Sequence, residues 1–293
     1  MIRKHVAEVA VEEASHHAEG PLWDARRGSL LWIDQYRGLV REASFVDGVF
    51  RPARIVDVGA PVGSVVPRST GGWVVASGGG FQFLDEEDSL HPIADVLPED
   101  GIRRRMNDGK VDPQGRFWAG TMAWDKRPGA GSLYLLDEGR VRTALHDVTI
   151  SNGLAWDPAG ETLWYIDTPT GAVARFRVVG DRVEREAPTV SIDPEHGHPD
   201  GMSIDAEGCL WVALWGGSAV QRYAPTGELL ERVEVEARQV SSCCFGGDDL
   251  GTLYITTSAE DYGPHEHEHD PHAGKIFAVR PGVHGLPADS YAG

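Results

Sequence analysis

An internal repeat restricts the fold of this chain more than any other feature. Six segments share one plan, in which an apolar alternation leads into a turn rich in Asp, Pro and Gly and then into a second strand-like run. They are EGPLWDARRGSLLWID (19–34), GSVVPRSTGGWVVAS (63–77), NDGKVDPQGRFWAG (107–120), NGLAWDPAGETLWYID (152–167), DGMSIDAEGCLWVAL (200–214) and SCCFGGDDLGTLYIT (242–256). Their starts are separated by 44, 44, 45, 48 and 42 residues. Self-similarity at such a regular spacing indicates a repeat architecture.

The content of each period predicts which architecture forms. Each unit holds a hairpin, and further strand-like runs such as GSLYLLDEG, AVARFRVV and AVQRYAP fill the remainder. About four short strands in about 45 residues are typical of a β-propeller blade. We therefore predict an all-β fold, a six-bladed β-propeller that occupies residues 1–293 as a single domain. A β-sandwich is the alternative, but it leaves the spacing unexplained. We expect the N-terminal run HVAEVAV to close the ring beside GKIFAV in the last blade.

Charge and hydropathy exclude several classes of partner. The chain has 45 acidic and 27 basic residues and a formal net charge of −18, which argues against binding to nucleic acid or to an anionic membrane. There is no 18-residue apolar run, and the charged N-terminus lacks the apolar core of a signal peptide, so a cytoplasmic protein is expected. Cys209, Cys243 and Cys244 lack metal-site spacing and are expected as small buried apolar residues.

One position of the repeat carries an oxygen-bearing side chain in four of the six units. These side chains are Glu19, Asn107, Asn152 and Asp200, whereas the other two units have Gly63 and Ser242. The chain contains only two asparagines, and both occupy this position. Five residues later the same four units have an Asp, at Asp24, Asp112, Asp157 and Asp205. This second Asp suits the hairpin turn, because an Asp side chain accepts hydrogen bonds from nearby backbone.

The first of these positions suggests a metal site. In a propeller the equivalent positions of all blades converge on the central channel, so two carboxylates and two amide oxygens would meet there with a formal charge of −2. Such a donor set suits one hard divalent cation, with Ca²⁺ preferred and Zn²⁺, Mn²⁺ or Mg²⁺ as alternatives. The other interpretation is four polar residues that solvate a wet channel.

These motifs resemble those of the senescence marker protein, gluconolactonase and luciferin-regenerating family. The matching stretches are AEGPLWD (18–24), NDGKVDPQGRFWAGTM (107–122), ISNGLAWD (150–157), PDGMSIDAEGCLWVALW (199–215), SSCCFGG (241–247) and SYAG (290–293). The resemblance spans essentially the whole chain and implies a six-bladed propeller with one divalent metal in the channel. It implies that the metal ligands are Glu19, Asn152 and Asp200, and that the substrate contacts are Arg105, Asn107 and Asp125. Asp125 departs from the family, because animal members have the longer Glu there.

The family implies hydrolysis of sugar lactones. We expect an enzyme, a metal-dependent lactonase that converts aldonolactones to aldonic acids, with the metal as Lewis acid and Asp200 orienting or activating the attacking water. The expected partner is a small sugar lactone, and the sequence leaves open a monomer or a dimer. A calcium-binding regulatory propeller without turnover is the alternative, since fold does not imply function. An esterase or organophosphate hydrolase on the same scaffold is a third hypothesis, and it would need a more apolar pocket.

Several other features receive structural interpretations. The run PHEHEHDPH (264–272) is expected to be a solvated loop between the sixth repeat and the closing strand, with its alternating histidines on one side of an extended segment. His16 and His17 precede Glu19, but the sequence assigns them no role. Most tryptophans fall in strand-like runs and are expected to pack between blades, whereas Trp124 and Trp215 are less regular and could line a sugar-binding rim.

Overall fold

Each repeat folds into one antiparallel sheet, and the six sheets are the blades of a β-propeller. The computed structural model describes residues 2–46 and 49–293. The first three blades contain β3 (Ala18–Asp24), β4 (Ser29–Asp34), β5 (Leu39–Val46) and β6 (Val49–Asp57); β7 (Val62–Pro67), β8 (Trp73–Ser77), β9 (Gly80–Leu84) and β10 (Leu90–Asp95); and β11 (Arg104–Val111), β12 (Phe117–Ala123), β13 (Gly131–Asp137) and β14 (Arg140–Val148).

The other three blades repeat this pattern. They contain β15 (Ser151–Trp156), β16 (Thr162–Asp167), β17 (Ala172–Val179) and β18 (Arg182–Ser191); β19 (His198–Ile204), β20 (Leu210–Trp215), β21 (Ala219–Tyr223) and β22 (Leu229–Glu234); and β23 (Gln239–Gly246), β24 (Thr252–Ser258) and β25 (Ile276–Val279). Two short 3-10 helices, Thr168–Thr170 and Pro194–His196, follow β16 and β18. The first strand of each blade packs against the first strands of its neighbours, so these six strands surround the channel. The predicted six-bladed propeller is confirmed.

The N-terminal segment ties the last two blades together. β2 (Glu8–Val11) pairs antiparallel with β25, which confirms the predicted closure of the ring beside GKIFAV. β1 (Arg3–Val6) pairs parallel with β22 at the outer edge of the preceding blade. The first half of the N-terminal run therefore does not join the last blade. Both pairings cover edge strands whose backbone groups would otherwise lack partners.

The repeated aspartates form the hairpin turns, as predicted. Asp205 is buried, and its Oδ1 accepts hydrogen bonds from the backbone N–H groups of Glu207 (3.0 Å) and Cys209 (2.9 Å). Its Oδ2 accepts from Trp211 Nε1 at 2.9 Å and from Arg222 Nε at 2.7 Å. The corresponding turns are closed by the carboxylates of Asp24, Asp112 and Asp157. In blade five the turn residue therefore also anchors a tryptophan of the core.

Apolar side chains of the strands fill the spaces between blades. The tryptophans of the strand-like runs are buried there, as expected: Trp32, Trp73, Trp118, Trp164 and Trp211. Cys209, Cys243 and Cys244 are also buried and free, and burial raises the pKa of each thiol. Thiols that are buried and protonated are inert packing groups.

The C-terminal segment, residues 280–293, crosses one end of the channel. Gly285 N–H donates to the carbonyl of Leu250 in blade six at 2.8 Å, and Tyr291 N–H donates to the carbonyl of Pro67 in blade two at 2.8 Å. Tyr291 is 2% exposed, and its hydroxyl accepts a hydrogen bond from Gly139 N–H. The terminal SYAG therefore fastens this segment to the ring.

The histidine-rich run contains the short helix α1 (Pro264–His269). The expectation of a solvated surface segment is confirmed, because residues 265–269 are exposed, but the expected extended conformation is wrong. The helix forms because Glu266, at its third position, accepts a hydrogen bond from Gly263 N–H at 3.0 Å, as in a capping box. In the described parts of the chain, no helix has the length and hydropathy needed to cross a membrane.

Candidate functional site

The inner strands share an irregularity at the position that carries the four oxygens. In every blade the register between the first and second strands shifts at this position or directly beside it, with one extra residue on the inner strand. In blade four, for example, Ser151 pairs with Asp167 and Leu154 with Tyr165, so Asn152 and Gly153 face a single residue. Such bulges redirect side chains and are common next to functional sites.

The glycines beside these residues let the inner strands approach closely. A Cβ on Gly153 would lie 2.8 Å from the carbonyl oxygen of Asp200, and one on Gly201 would lie 2.1 Å from Ser242 Oγ. Both distances are shorter than a methyl group permits. The recurring pairs Asn–Gly and Asp–Gly therefore combine a polar side chain for the channel with the space that the neighbouring strand needs.

A cavity of about 350 Å³ lies at the end of the channel where these side chains converge. Its lining includes five of the predicted site residues, namely Glu19, Arg105, Asn107, Asn152 and Asp200. They come from four different blades, so only the closed ring brings them together. A second cavity of about 270 Å³, lined by the far ends of the inner strands and by residues 286–289, contains none of them.

Hydrogen bonds fix the two asparagines. Asn107 Nδ2 donates to Asn152 Oδ1 at 3.0 Å and to the carbonyl of Ser151 at 2.7 Å, while Asn152 Nδ2 donates to Thr168 Oγ1 at 2.8 Å. Asn107 Oδ1 accepts from the guanidinium of Arg105 and from the side-chain amide of Gln35. Because a positive guanidinium already holds this oxygen, Asn107 suits a metal less well than Asn152 does.

The two carboxylates of the predicted metal set are buried. Glu19 is 3% exposed and Asp200 is 7% exposed. Burial, and next the negative charge of Asp108, raises the pKa of Glu19 to about 8. Burial, and next the charge of Glu19, raises the pKa of Asp200 well above its usual value. Buried carboxylates in one cavity are costly to ionise unless a cation compensates them, so the chemistry of Glu19, Asn152 and Asp200 fits a hard divalent ion.

Asp108 belongs to this electrostatic group although the sequence did not single it out. It is buried, and burial raises its pKa, which the charge of Lys110 opposes. Neighbours in a regular strand face opposite sides, so alternation gives no reason for Asn107 and Asp108 to act at one site. The bulge between Met106 and Gly109 removes that constraint. Among the described residues, no group of three or more His, Cys, Asp or Glu side chains has the arrangement of a metal site. The predicted metal ligands include an asparagine and so are not such a group.

The cavity wall also contains a polar network that the sequence did not predict. Tyr36 OH donates to Glu260 Oε1 at 2.6 Å and accepts from an Arg105 guanidinium N–H at 3.2 Å. His17 Nδ1 lies 3.3 Å from Glu260 Oε2 and 2.7 Å from Ser258 Oγ. Burial, and next the charge of Arg105, lowers the pKa of His17 well below its usual value, so this imidazole is neutral. His17 was noticed in the sequence but assigned no role.

Arg105 is buried and not a solvated charge. It is 5% exposed, and its guanidinium lies over the rings of Tyr36 and Trp124, 5.1 and 5.7 Å from their centroids. Trp215 lines the cavity, and Trp124 lines its mouth. These positions agree with an aromatic rim.

The structure does not bring Asp125 to the other site residues. Its carboxylate is half exposed and pairs with Arg127 at 2.6 Å, and the same Arg127 hydrogen bond lowers its pKa. Asp125 is not among the residues that line the cavity or its mouth. Its expected contact with sugar hydroxyls stays a prediction, and it would require this ion pair to open.

Comparisons with known proteins identify the family of the chain. The chain is 36% identical to regucalcin of Oryctolagus cuniculus over 297 residues, covering 98% of each protein. Its structure is similar to that of a calcium-binding protein, regucalcin, from Agrobacterium tumefaciens (TM-score 0.90, 27% identity, 99% of each chain) and to that of luciferin-regenerating enzyme (TM-score 0.87, 27% identity, 98% and 99% of the two chains). The family model SMP-30/Gluconolactonase/LRE-like region matches residues 17–259. The chain therefore belongs to the SMP-30, gluconolactonase and LRE-like family.

Proposed function

We propose that the protein is a divalent-metal-dependent lactonase that hydrolyses sugar lactones to aldonic acids. One observation carries this proposal: two buried carboxylates and an amide oxygen converge in a cavity that also contains a buried arginine. Hydrolases that act on carboxylic esters need a group that stabilises an oxyanion and a base that activates water. In this cavity the bound metal would stabilise the oxyanion and Asp200 would act as the base. Membership of a family named after gluconolactonase supports the same reaction.

Glu19, Asn152 and Asp200 would hold the metal, with Ca²⁺ preferred because every donor is a hard oxygen. A bound divalent ion supplies Lewis-acid polarisation of a carbonyl oxygen. The hydrogen bond from Asn107 Nδ2 to Asn152 Oδ1 keeps that amide oxygen oriented. Asn107 would therefore act partly by positioning Asn152.

Arg105 and Asn107 would bind and orient the lactone. The guanidinium stays protonated, so Arg105 donates hydrogen bonds to substrate oxygens and does not act as the base. Tyr36 and Glu260 hold Arg105 in place through the tyrosine hydroxyl, which limits the motion of its long side chain. A ring oxygen or hydroxyl of the sugar is the acceptor that this fork suits.

Asp200 would handle the proton. In lactone hydrolysis a bond forms between the water oxygen and the carbonyl carbon, the ring C–O bond breaks, and a proton passes from the water to the departing alkoxide. Glu19 and Asp200 both lack an ion pair among the described residues, but a Glu19 oxygen accepts a hydrogen bond from Gly20 N–H, whereas none is recorded there for the Asp200 carboxylate. An oxygen of Asp200 is therefore available to accept that proton. Neutral His17 is occupied by Ser258 and Glu260.

A reconstitution experiment tests the proposal. The protein is freed of metal with a chelator, dialysed and reconstituted separately with Ca²⁺, Zn²⁺, Mn²⁺ or Mg²⁺, and hydrolysis of a panel of aldonolactones is followed in a pH-stat. We expect chelation to abolish turnover and at least one metal to restore it. Asp200→Asn should lower kcat by about 10²- to 10⁴-fold, whereas Asp157→Asn, in a hairpin turn, should not. Full activity of the Asp200 variant, or turnover without metal, would refute the mechanism.

A calcium-binding propeller without turnover is the second candidate. It is favoured by the description of the Agrobacterium tumefaciens relative as a calcium-binding protein. In that case calcium would bind to the purified protein in titration calorimetry while no lactone of the panel is hydrolysed under any metal. The esterase and organophosphate alternatives are less favoured, because the cavity wall is rich in charged and amide side chains.

A further inference from the structure

The loop after β12 turns Asp125 and Lys126 in different directions. Asp125 pairs with Arg127 at 2.6 Å outside the cavity. Lys126, between them, lines both the cavity and its mouth, a wider space of about 550 Å³ that also has Tyr36 and Arg105 in its wall. The position where the family suggested an acidic contact is therefore followed by a basic side chain that reaches the opening.

The backbone of Lys126 helps to produce this arrangement. Its φ is 54°, in the left-handed region that residues with a Cβ seldom adopt. The turn is closed by a hydrogen bond from Lys126 N–H to the carbonyl of Ala123 at 3.0 Å. A glycine would adopt this φ without cost, whereas a lysine adopts it at a cost in backbone energy.

The charge of Lys126 is not compensated by its neighbours. The ion pair in this loop joins Arg127 to Asp125, and across the described residues no carboxylate lies within 4.0 Å of the Lys126 amine. Glu260, the carboxylate that shares the cavity wall, already binds Tyr36 OH and His17. Asp261 lies at the mouth but not in the cavity.

The arginine of the cavity and the other three lysines of the chain already have polar partners. The guanidinium of Arg105 donates to Asn107 Oδ1 and to Tyr36 OH. Of the four lysines in the sequence, Lys4 and Lys275 are ion-paired with surface glutamates, and the Lys110 amine donates to a backbone carbonyl at 2.7 Å. In a protein of net charge −18, Lys126 is thus a cation held at the opening of the cavity and available to a ligand.

We propose that Lys126 determines substrate specificity by binding a carboxylate on the lactone, so that the preferred substrates are lactones of sugar diacids and not neutral aldonolactones. This inference rests on the proposed lactonase function. A single lysine is a compact point charge, which compensates the one negative charge of a carboxylate, whereas a phosphate dianion would leave a negative charge uncompensated beside buried carboxylates. Arg105, the other permanent cation of the described cavity wall, is assigned to the sugar ring in the proposed function, which leaves the single charge of Lys126 for a carboxylate on the substrate.

A matched pair of substrates tests this assignment on the metal-reconstituted enzyme. The 1,4-lactone of an aldaric acid and the 1,4-lactone of the corresponding aldonic acid differ only in a terminal carboxylate against a hydroxymethyl group. Kinetic constants are measured for the wild type, Lys126→Met, Lys126→Glu and the control Lys4→Met, which removes an exposed lysine at the outer edge of blade five. A phosphorylated aldonolactone is included as a third substrate.

We expect the wild type to favour the aldaric lactone in kcat/KM. Lys126→Met should raise KM for that substrate by about fivefold, with little change in kcat or in the constants for the neutral lactone. Lys126→Glu should shift the preference further toward the neutral lactone, whereas Lys4→Met should leave it unchanged. Added salt should raise KM for the aldaric lactone only.

Other outcomes would overturn the assignment. If the wild type prefers the neutral lactone, or Lys126→Met affects both substrates equally, Lys126 does not select a carboxylate while the lactonase function stands. If the phosphorylated lactone is preferred and depends on Lys126, the anionic group was identified wrongly. If no lactone is hydrolysed under any metal, the proposed function fails and this inference fails with it.

Discussion

Because the carboxylates of the site are buried, we predict that their negative charges destabilise the metal-free protein. Glu19 is 3% exposed, and burial and the charge of Asp108 raise its pKa to about 8 from a usual value of 4.5. Glu19→Gln keeps the size of the side chain and removes the charge. We expect this variant to be more stable than the wild type when both are free of metal at high pH, and less able to bind the metal.

The size of this effect follows from linkage. An acid whose pKa is raised in the folded state binds more protons folded than unfolded, so stability falls as the pH rises from about 4.5 to about 8. One pKa unit corresponds to about 1.36 kcal/mol, so the charge of Glu19 costs the folded protein up to about 5 kcal/mol above pH 8. Glu19→Gln should recover most of this, and the recovery should vanish below about pH 4.5.

Urea denaturation monitored by tryptophan fluorescence measures the free energy of unfolding at each pH and its increase when the metal binds. Chelator-treated wild type and Glu19→Gln are compared at pH 5 and pH 8.5, with Glu8→Gln, an exposed position, as the matched control. Ca²⁺ at 100 times its Kd should then stabilise the wild type by about 2.7 kcal/mol and the variant by much less. The reasoning is refuted if Glu19→Gln destabilises the metal-free protein at pH 8.5, or if both proteins lose stability equally between the two pH values.

Two further predictions concern residues that act through their neighbours. Asp205→Asn should lower the free energy of unfolding by about 2–3 kcal/mol in urea titrations, because one amide oxygen cannot accept from all the buried N–H donors that the carboxylate serves, although Arg222 keeps its ion pairs with Glu207 and Glu231; a change below 1 kcal/mol would contradict this. Tyr36→Phe should raise the KM for lactones several-fold and change kcat little, because the hydroxyl bridges Arg105 and Glu260; steady-state kinetics would show unchanged KM if the bridge does not position Arg105.

Much of the fold could be predicted because the repeat is written into local patterns. Period-2 alternation and Asp-rich turns indicate strands and hairpins residue by residue, and Asp205 caps its turn as its sequence context predicts. The apolar alternation of the N-terminal run HVAEVAV similarly indicated β2, which pairs with β25. The parallel pairing of β1 with the preceding blade had no local signal, because it depends on which exposed edge lies nearby.

The site was predictable to the extent that it follows the repeat. Glu19, Asn152 and Asp200 occupy equivalent positions of different blades, so the ring necessarily brings them to one channel. Asp108 and Glu260 do not follow the repeat in the same way. Asp108 depends on a bulge, and Glu260 lies beyond a strand end, so neither follows from alternation.

By itself, the sequence determined that the chain forms six equivalent blades, because hydrophobic alternation and turn chemistry act over a few residues and recur at a constant period. It also determined which oxygen-bearing side chains share one position of the repeat. Only the tertiary structure decided how their charges are compensated, that Arg105 is buried against Tyr36, and that Lys126 instead of Asp125 reaches the cavity. Ring closure brings together side chains that are remote in the sequence. One left-handed backbone angle, that of Lys126, accompanies the separation of the neighbouring side chains of Asp125 and Lys126.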